Sequence, residues 1–143
     1  MTRQIFIASD HAGVRLKKVL VDFLRTKDVS IHDMGPQTED SADYPDYANL
    51  VCTALQKHPD SVGILLCGSG IGMSIAANRH RHVRAALVHS EEVVRLARQH
   101  NDVNVLVLGA RLISEVLALR LVDVFLETEF EGGRHARRVA KLG

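Results

Sequence analysis

One stretch in mid-chain, ILLCGSGIGMSIAANR from Ile64 to Arg79, brings together a thiol, a hydroxyl and alternating glycines. An apolar run ends at Cys67, Gly68, Gly70 and Gly72 follow, and helical spacing begins. Glycines at such a point let backbone N–H groups close on an anion, and a helix N-terminus adds partial positive charge. The spacing is not the dinucleotide fingerprint G-x-G-x-x-G, and no acidic residue closes the next strand to hold a ribose. A P-loop is excluded as well, because its Lys-Ser/Thr pair is missing. A tight strand-to-helix turn would use the same glycines. Cys67 is open to two interpretations. A helix N-terminus lowers a thiol's pKa from its free value of about 8.5 and makes it a nucleophile or general base. A free cysteine is more often a small buried hydrophobe. Cys52, beside Val51 and Leu55, fits packing.

Asp10-His11 follows the first apolar run, Ile5 to Ala8. A carboxylate beside an imidazole can orient a hydroxyl, move a proton or bind an anion. Asp10 is equally suited to cap the helix that begins near Ala12. Arg134 and Arg138, four apart on one helical face, could grip a phosphate with two guanidinium forks, and Gly132-Gly133 before them would let backbone approach. A solvated basic helix explains the same residues, and Arg137 lies on a neighbouring face. Arg111 is a third cationic candidate. The basic segment NRHRHVR, Asn78 to Arg84, contains no aromatic residue, and it is expected to be a solvated connection rather than a nucleic-acid site. His80 and His82 have no further ligands near them in sequence to complete a metal site.

These residues need elements to position them. Apolar spacing predicts strands at Ile5–Ala8, Val29–Asp33, Val62–Cys67, Val83–Val88 and Asn104–Leu108. Helices are predicted from Val14 to Leu24, from Tyr44-Pro45 through Leu55, from the glycine motif to about Asn78, from Ser90, from Ile113 to Leu126, and from Gly133 to Leu142. In the first helix Arg15, Lys17, Lys18 and Asp22 form the polar positions. GPQTEDSADYP reads as a polar loop. The alternation of strand and helix predicts a five-stranded parallel sheet with helices on both faces, a three-layer Rossmann-like α/β fold in one domain. Ligands bind at the carboxyl ends of such strands. Asp10-His11, Cys67 to Gly70, His89-Ser90 and Gly109 to Arg111 belong to that edge. His100-Asn101 precedes a strand and belongs to the other.

Composition agrees with a globular α/β chain. It has 143 residues, 46% hydrophobic and 24% charged, with a formal net charge of +1. That charge does not by itself predict nucleic-acid or membrane-surface binding. No apolar run reaches the roughly 18 residues of a membrane span. MTRQIFIASD has no signal-peptide pattern, and the two cysteines form neither a disulfide framework nor a zinc motif, so a reducing cytoplasm is expected.

Five blocks in order resemble one family: SDHAG, DYPDYA, CGSGIGMSIAANR, RQHNDVNVLVLGAR and EGGRHARRV. Together they make the chain similar to the type B ribose-5-phosphate isomerases, which include allose-6-phosphate isomerase and the galactose-6-phosphate isomerase subunits. The resemblance runs from Ile5 to Val139. It implies that Cys67 is the general base moving a proton between C1 and C2 of the open sugar, and that His100 helps open the furanose ring. Asp10, His11, Tyr44 and Asn101 would contact substrate. Gly68, Gly70, Ile71 and Gly72 would hold the sugar and its enediolate. Ser69, where a threonine is common, would relay protons, and Arg111, Arg134 and Arg138 with His11 would surround the phosphate. Met73 stands where other branches place a glutamate base.

The resemblance further implies aldose–ketose isomerisation in the pentose phosphate pathway, with no metal or redox cofactor. The partners implied are a small sugar phosphate and a second copy of the chain, in a homodimer with a shared active site or a pair of such dimers. A six-carbon sugar phosphate would need the same chemistry at a different span. A silent phosphosugar-binding module would use the glycines and arginines but not Cys67, His100 and Asp10 together. His100, expected at the edge opposite Cys67, would act across to the partner's cysteine site.

Overall fold

A computed structural model describes residues 2–143. The strands are β1 (Arg3–Ser9), β2 (Val29–Asp33), β3 (Val62–Cys67), β4 (Ala85–Leu87) and β5 (Val105–Gly109). The helices are α1 (Val14–Leu24), α2 (Tyr44–Lys57), α3 (Ile71–Ala77), α4 (Glu91–Asn101), α5 (Glu115–Glu127) and α6 (Arg134–Ala140), and a 3-10 turn, His11–Gly13, leads into α1. All strands pair in parallel in the order β2-β1-β3-β5-β4. The expected three-layer α/β architecture is therefore present.

The central strands β3 and β5 are buried at every residue, as continuous apolar runs in a parallel sheet should be. Alternate side chains divide the core. Ile5, Ile7, Ile64, Leu66, Leu106 and Leu108 meet Leu20, Val94 and Leu121 from α1, α4 and α5. Phe6, Ala8, Leu65, Cys67, Val105 and Val107 meet Val51, Cys52 and Met73 from α2 and α3. Burying each large aliphatic side chain contributes roughly 1.5–3 kcal/mol. Ser90 and Ser114 cap α4 and α5 by accepting the N–H groups of Val93 and Leu117, each worth typically about 1 kcal/mol.

The structure refines two expectations. Strand β4 is shorter than Val83–Val88 because Arg84 turns to Asp102 and Asn104: its N–H donates to Asn104 Oδ1 at 2.7 Å and its Nε to the Asp102 carbonyl at 2.7 Å. Lys17 is not on a solvated face. It is 1% exposed, and its Nζ lies 2.7 and 2.9 Å from the two carboxylate oxygens of Asp33 at the end of β2.

Among the described residues, no helix is long and apolar enough to cross a membrane.

Candidate active site

The topology opens a crevice where the chain leaves β1 in opposite directions. β2 lies on one side of β1 and β3 on the other, so Asp10-His11 and the β3–α3 turn face the same gap. Backbone bonds lace three strand ends together here. Asp10 N–H donates to the Leu66 carbonyl at 3.1 Å, Ala110 N–H to the Cys67 carbonyl at 2.9 Å, and Arg111 N–H to the Gly68 carbonyl at 3.0 Å.

Cys67 ends β3 and is 5% exposed. The Gly70 N–H donates to its Sγ at 3.2 Å, and the Ile71 N–H donates to Ser69 Oγ at 3.2 Å. Gly70 makes this turn possible with φ +82, a region that favours glycine. The absent side chain at Gly72 admits Tyr44: a Cβ there would lie 2.6 Å from the tyrosine ring. The Arg111 guanidinium lies over Gly68, 3.0 Å from where a Cβ would sit. Thiol, hydroxyl, glycine N–H groups, phenol and guanidinium thus share one edge.

Asp10 does cap a helix. Its Oδ1 accepts the Ala12 N–H at 2.9 Å, and the side chain is buried. His11 Nδ1 lies 3.2 Å from the Ala42 N–H and 3.3 Å from the Ala42 carbonyl, so the ring is held by this backbone whichever nitrogen carries the proton. Cys52 is packing: buried on α2, its thiol is pushed up to about 11 by desolvation and stays protonated.

His100 and Asn101 end α4 at the amino edge of the sheet, as expected. Arg134 and Arg138 lie there too. α5 runs back to that edge, where Arg3 at the start of β1 donates to the Leu126 carbonyl at 3.0 Å, and α6 then packs beside α4. Within one chain the expected phosphate group is therefore divided. His11 and Arg111 stand with Cys67, whereas Arg134 and Arg138 stand with His100.

The sequence did not single out His135 and Glu131, which complete this second cluster. The His135 ring stacks on His100, centroids 4.2 Å apart and planes 10° apart. Glu131 Oε1 lies 3.8 Å from His100 Nε2 and 3.7 Å from His135 Nε2. Desolvation, helped by His100, Arg134 and Arg138, holds the His135 pKa below the usual histidine range against the pull of Glu131. Its buried Nε2 has no hydrogen-bond partner. Two imidazoles and a carboxylate could in principle hold a metal. The four-residue spacing of Glu131 and His135 was the available signal. His80 and His82 form no metal pair: they donate to Asn49 Oδ1 at 2.9 Å and to the Cys52 carbonyl at 2.6 Å.

The sequence pattern of ribose/galactose isomerases matches residues 5–142. The chain is 47% identical over 144 residues to a probable ribose-5-phosphate isomerase B of Mycoplasma genitalium, covering 99% of this chain and 95% of that one. A crystal structure of a ribose 5-phosphate isomerase from Thermotoga maritima superposes with a TM-score of 0.96 at 49% identity, over 99% of this chain and 98% of that one. A Mycoplasma genitalium ribose-5-phosphate isomerase B, solved with ribulose-5-phosphate bound, superposes with a TM-score of 0.95 at 46% identity, over 99% and 95% of the two chains. By sequence pattern, fold and full-length similarity, the chain belongs to the ribose/galactose isomerase family, the family of the type B ribose-5-phosphate isomerases.

Proposed function

We propose that this protein interconverts ribose 5-phosphate and ribulose 5-phosphate through a cis-enediolate, with Cys67 as general base. The observation that carries the proposal is Cys67 Sγ, held by the Gly70 N–H at 3.2 Å within the glycine turn at the switch-point crevice. The sulfur takes the proton from C2 of the open aldose and returns it to C1. The C2 hydroxyl proton passes to O1, and Ser69 Oγ is the hydroxyl placed to relay it. Negative charge that develops on oxygen meets those N–H groups of the Gly68 to Gly72 turn that do not already donate to Cys67 Sγ and Ser69 Oγ, stabilisation that matters most in the transition state. The phosphate supplies binding energy away from the reacting carbons and holds them in line.

The reaction also needs the ring opened, the role proposed for His100. His100, Asn101, Arg134 and Arg138 of one chain lie at the edge opposite Cys67, so the complete site takes these residues from a second copy in antiparallel orientation. Edge strand β4 is only three residues long, and exposed Ile71 and Ile75 on α3 and Val93 and Leu96 on α4 flank it. These apolar side chains supply a contact surface for that copy.

A coupled assay of the purified protein on ribose 5-phosphate, allose 6-phosphate and galactose 6-phosphate tests the function. The highest kcat/KM is expected on ribose 5-phosphate. Preference for a six-carbon substrate would move the assignment within the family, and silence on all three would leave a binding protein.

A further inference from the structure

Two residues of the segment RQHNDVNV, Arg98 and Asp102, take no part in the proposed chemistry yet are tied to one another and to neighbouring elements by several side-chain bonds. Asp102 follows His100-Asn101 and closes α4 with φ +48, the one non-glycine residue at positive φ among the described residues. Glycine is the usual residue at such a helix end because a Cβ is disfavoured there. The aspartate side chain is bound from two directions. Arg98 Nη1 donates to Oδ1 at 3.0 Å, and Arg84 Nη2 lies 3.4 Å from Oδ2. Arg84 Nε also donates to the Asp102 carbonyl at 2.7 Å.

Arg98 is 8% exposed and reaches further. Its Nη1 donates to the Val103 carbonyl at 2.8 Å and its Nε to the Thr128 carbonyl, beyond α5, at 3.0 Å. The Gln99 carbonyl accepts the Glu131 N–H at 3.1 Å. The last turn of α4 is thus tied to the segment that delivers Glu131 and His135. Strained backbone held by many contacts beside a functional residue is a reason to look for a role in positioning.

We infer that Asp102, held by Arg98 and Arg84, is a positioning residue that fixes the end of α4 so that His100 stacks on His135 and Asn101 projects beside it. The inference rests on the ring-opening role of His100. A plain helix stop would be served as well or better by glycine. An aspartate that links two arginines costs backbone freedom and gains a fixed orientation for the residues just before it.

Asp102→Gly separates the two roles, because it keeps the left-handed turn and removes the carboxylate. The expected result is a lowered Tm, because nearly buried Arg98 loses its carboxylate partner, together with a kcat on ribose 5-phosphate lowered about ten- to a hundredfold in the protein that stays folded at the assay temperature, and a smaller change in KM. The ring-current shift that the His135 stack imposes on the His100 Cε1 proton should be lost in the free protein. Arg98→Lys, which keeps the charge and loses the fork, should move the same way. Asp102→Asn tolerates the left-handed backbone and serves if the glycine variant does not fold. Wild-type kcat with an unmoved His100 resonance would overturn the inference. His100→Ala is run beside these variants. If it lowers kcat and Asp102→Gly does not, the positioning inference alone fails. If His100→Ala keeps wild-type kcat, the role assigned to His100 fails, and the His100 resonance in Asp102→Gly then decides the positioning alone: a lost shift supports it and a retained shift overturns it.

Discussion

The two cysteines show how position decides chemistry. Cys52 is enclosed by α2 and its neighbours, and burial pushes its thiol up to about 11. Cys67 is nearly as buried but ends a strand, with a backbone N–H aimed at its sulfur. Cys67→Ala should lower kcat by about 10²- to 10⁴-fold while calorimetry still detects phosphosugar binding; near-normal kcat would remove Cys67 as the base. Gly72→Ala should act differently. Its Cβ would sit 2.6 Å from the Tyr44 ring, so the ring must move, and KM should rise more than kcat falls. An unchanged KM would mean that Tyr44 does not line the bound sugar. Cys67, Asp10 and the glycines were legible in the sequence because each directly follows an apolar run, and strand ends are where α/β sites form. His135 was not, because its significance lies in a ring stack with a residue from another helix.

At the scale of elements, the alternation of short apolar runs with amphipathic helices was enough to order the sheet. Periodicity counted Lys17 only as one of the polar positions of α1, because it records which positions are apolar and not where each polar side chain goes. Lys17 is buried because Asp33, on β2, meets it with both oxygens. That pair also holds the loop behind the site: Asp33 Oδ1 accepts the Gly35 N–H at 2.9 Å, and the Gly35 carbonyl accepts the Ser9 N–H at 3.1 Å, next to Asp10. Lys17→Met leaves a carboxylate with little solvent and should cost about 3–5 kcal/mol in urea denaturation. Desolvation pushes the Asp33 carboxyl up, but hydrogen bonds from Lys17, Gly35 and Gln37, with the Lys17 charge, outweigh it and leave the pKa below the usual value. The unfolded chain therefore binds this proton first. The pair's contribution is complete above the unfolded carboxylate range of about 4 and is lost as pH falls through the folded pKa. Denaturation midpoints of Lys17→Met should depend less on pH in that range than those of the parent. Parallel pH dependences would show that the pair is not the acid-sensitive element.

For the molecule as a whole, the sequence pointed to the division of the site by placing His100 before a strand and Cys67 after one. The structure extends that division to the arginines expected at the phosphate. Arg134 and Arg138 follow a helix that returns to the amino edge, so they join His100 rather than His11 and Arg111. Spacing along the chain could show that the two arginines share a helical face, but not at which end of the sheet that helix would sit. Neither edge alone offers both a base for the C2 proton and the group proposed to open the ring. Two copies related by a twofold axis would make two complete sites, each with Cys67 from one chain and His100 from the other. The most direct test mixes Cys67→Ala and His100→Ala chains under conditions that let subunits exchange. Random pairing makes half the dimers mixed, each with one intact site of two, so activity should recover to about a quarter of the parent value. If the mixture stays as inactive as its components while mass spectrometry shows mixed dimers, the shared site is wrong.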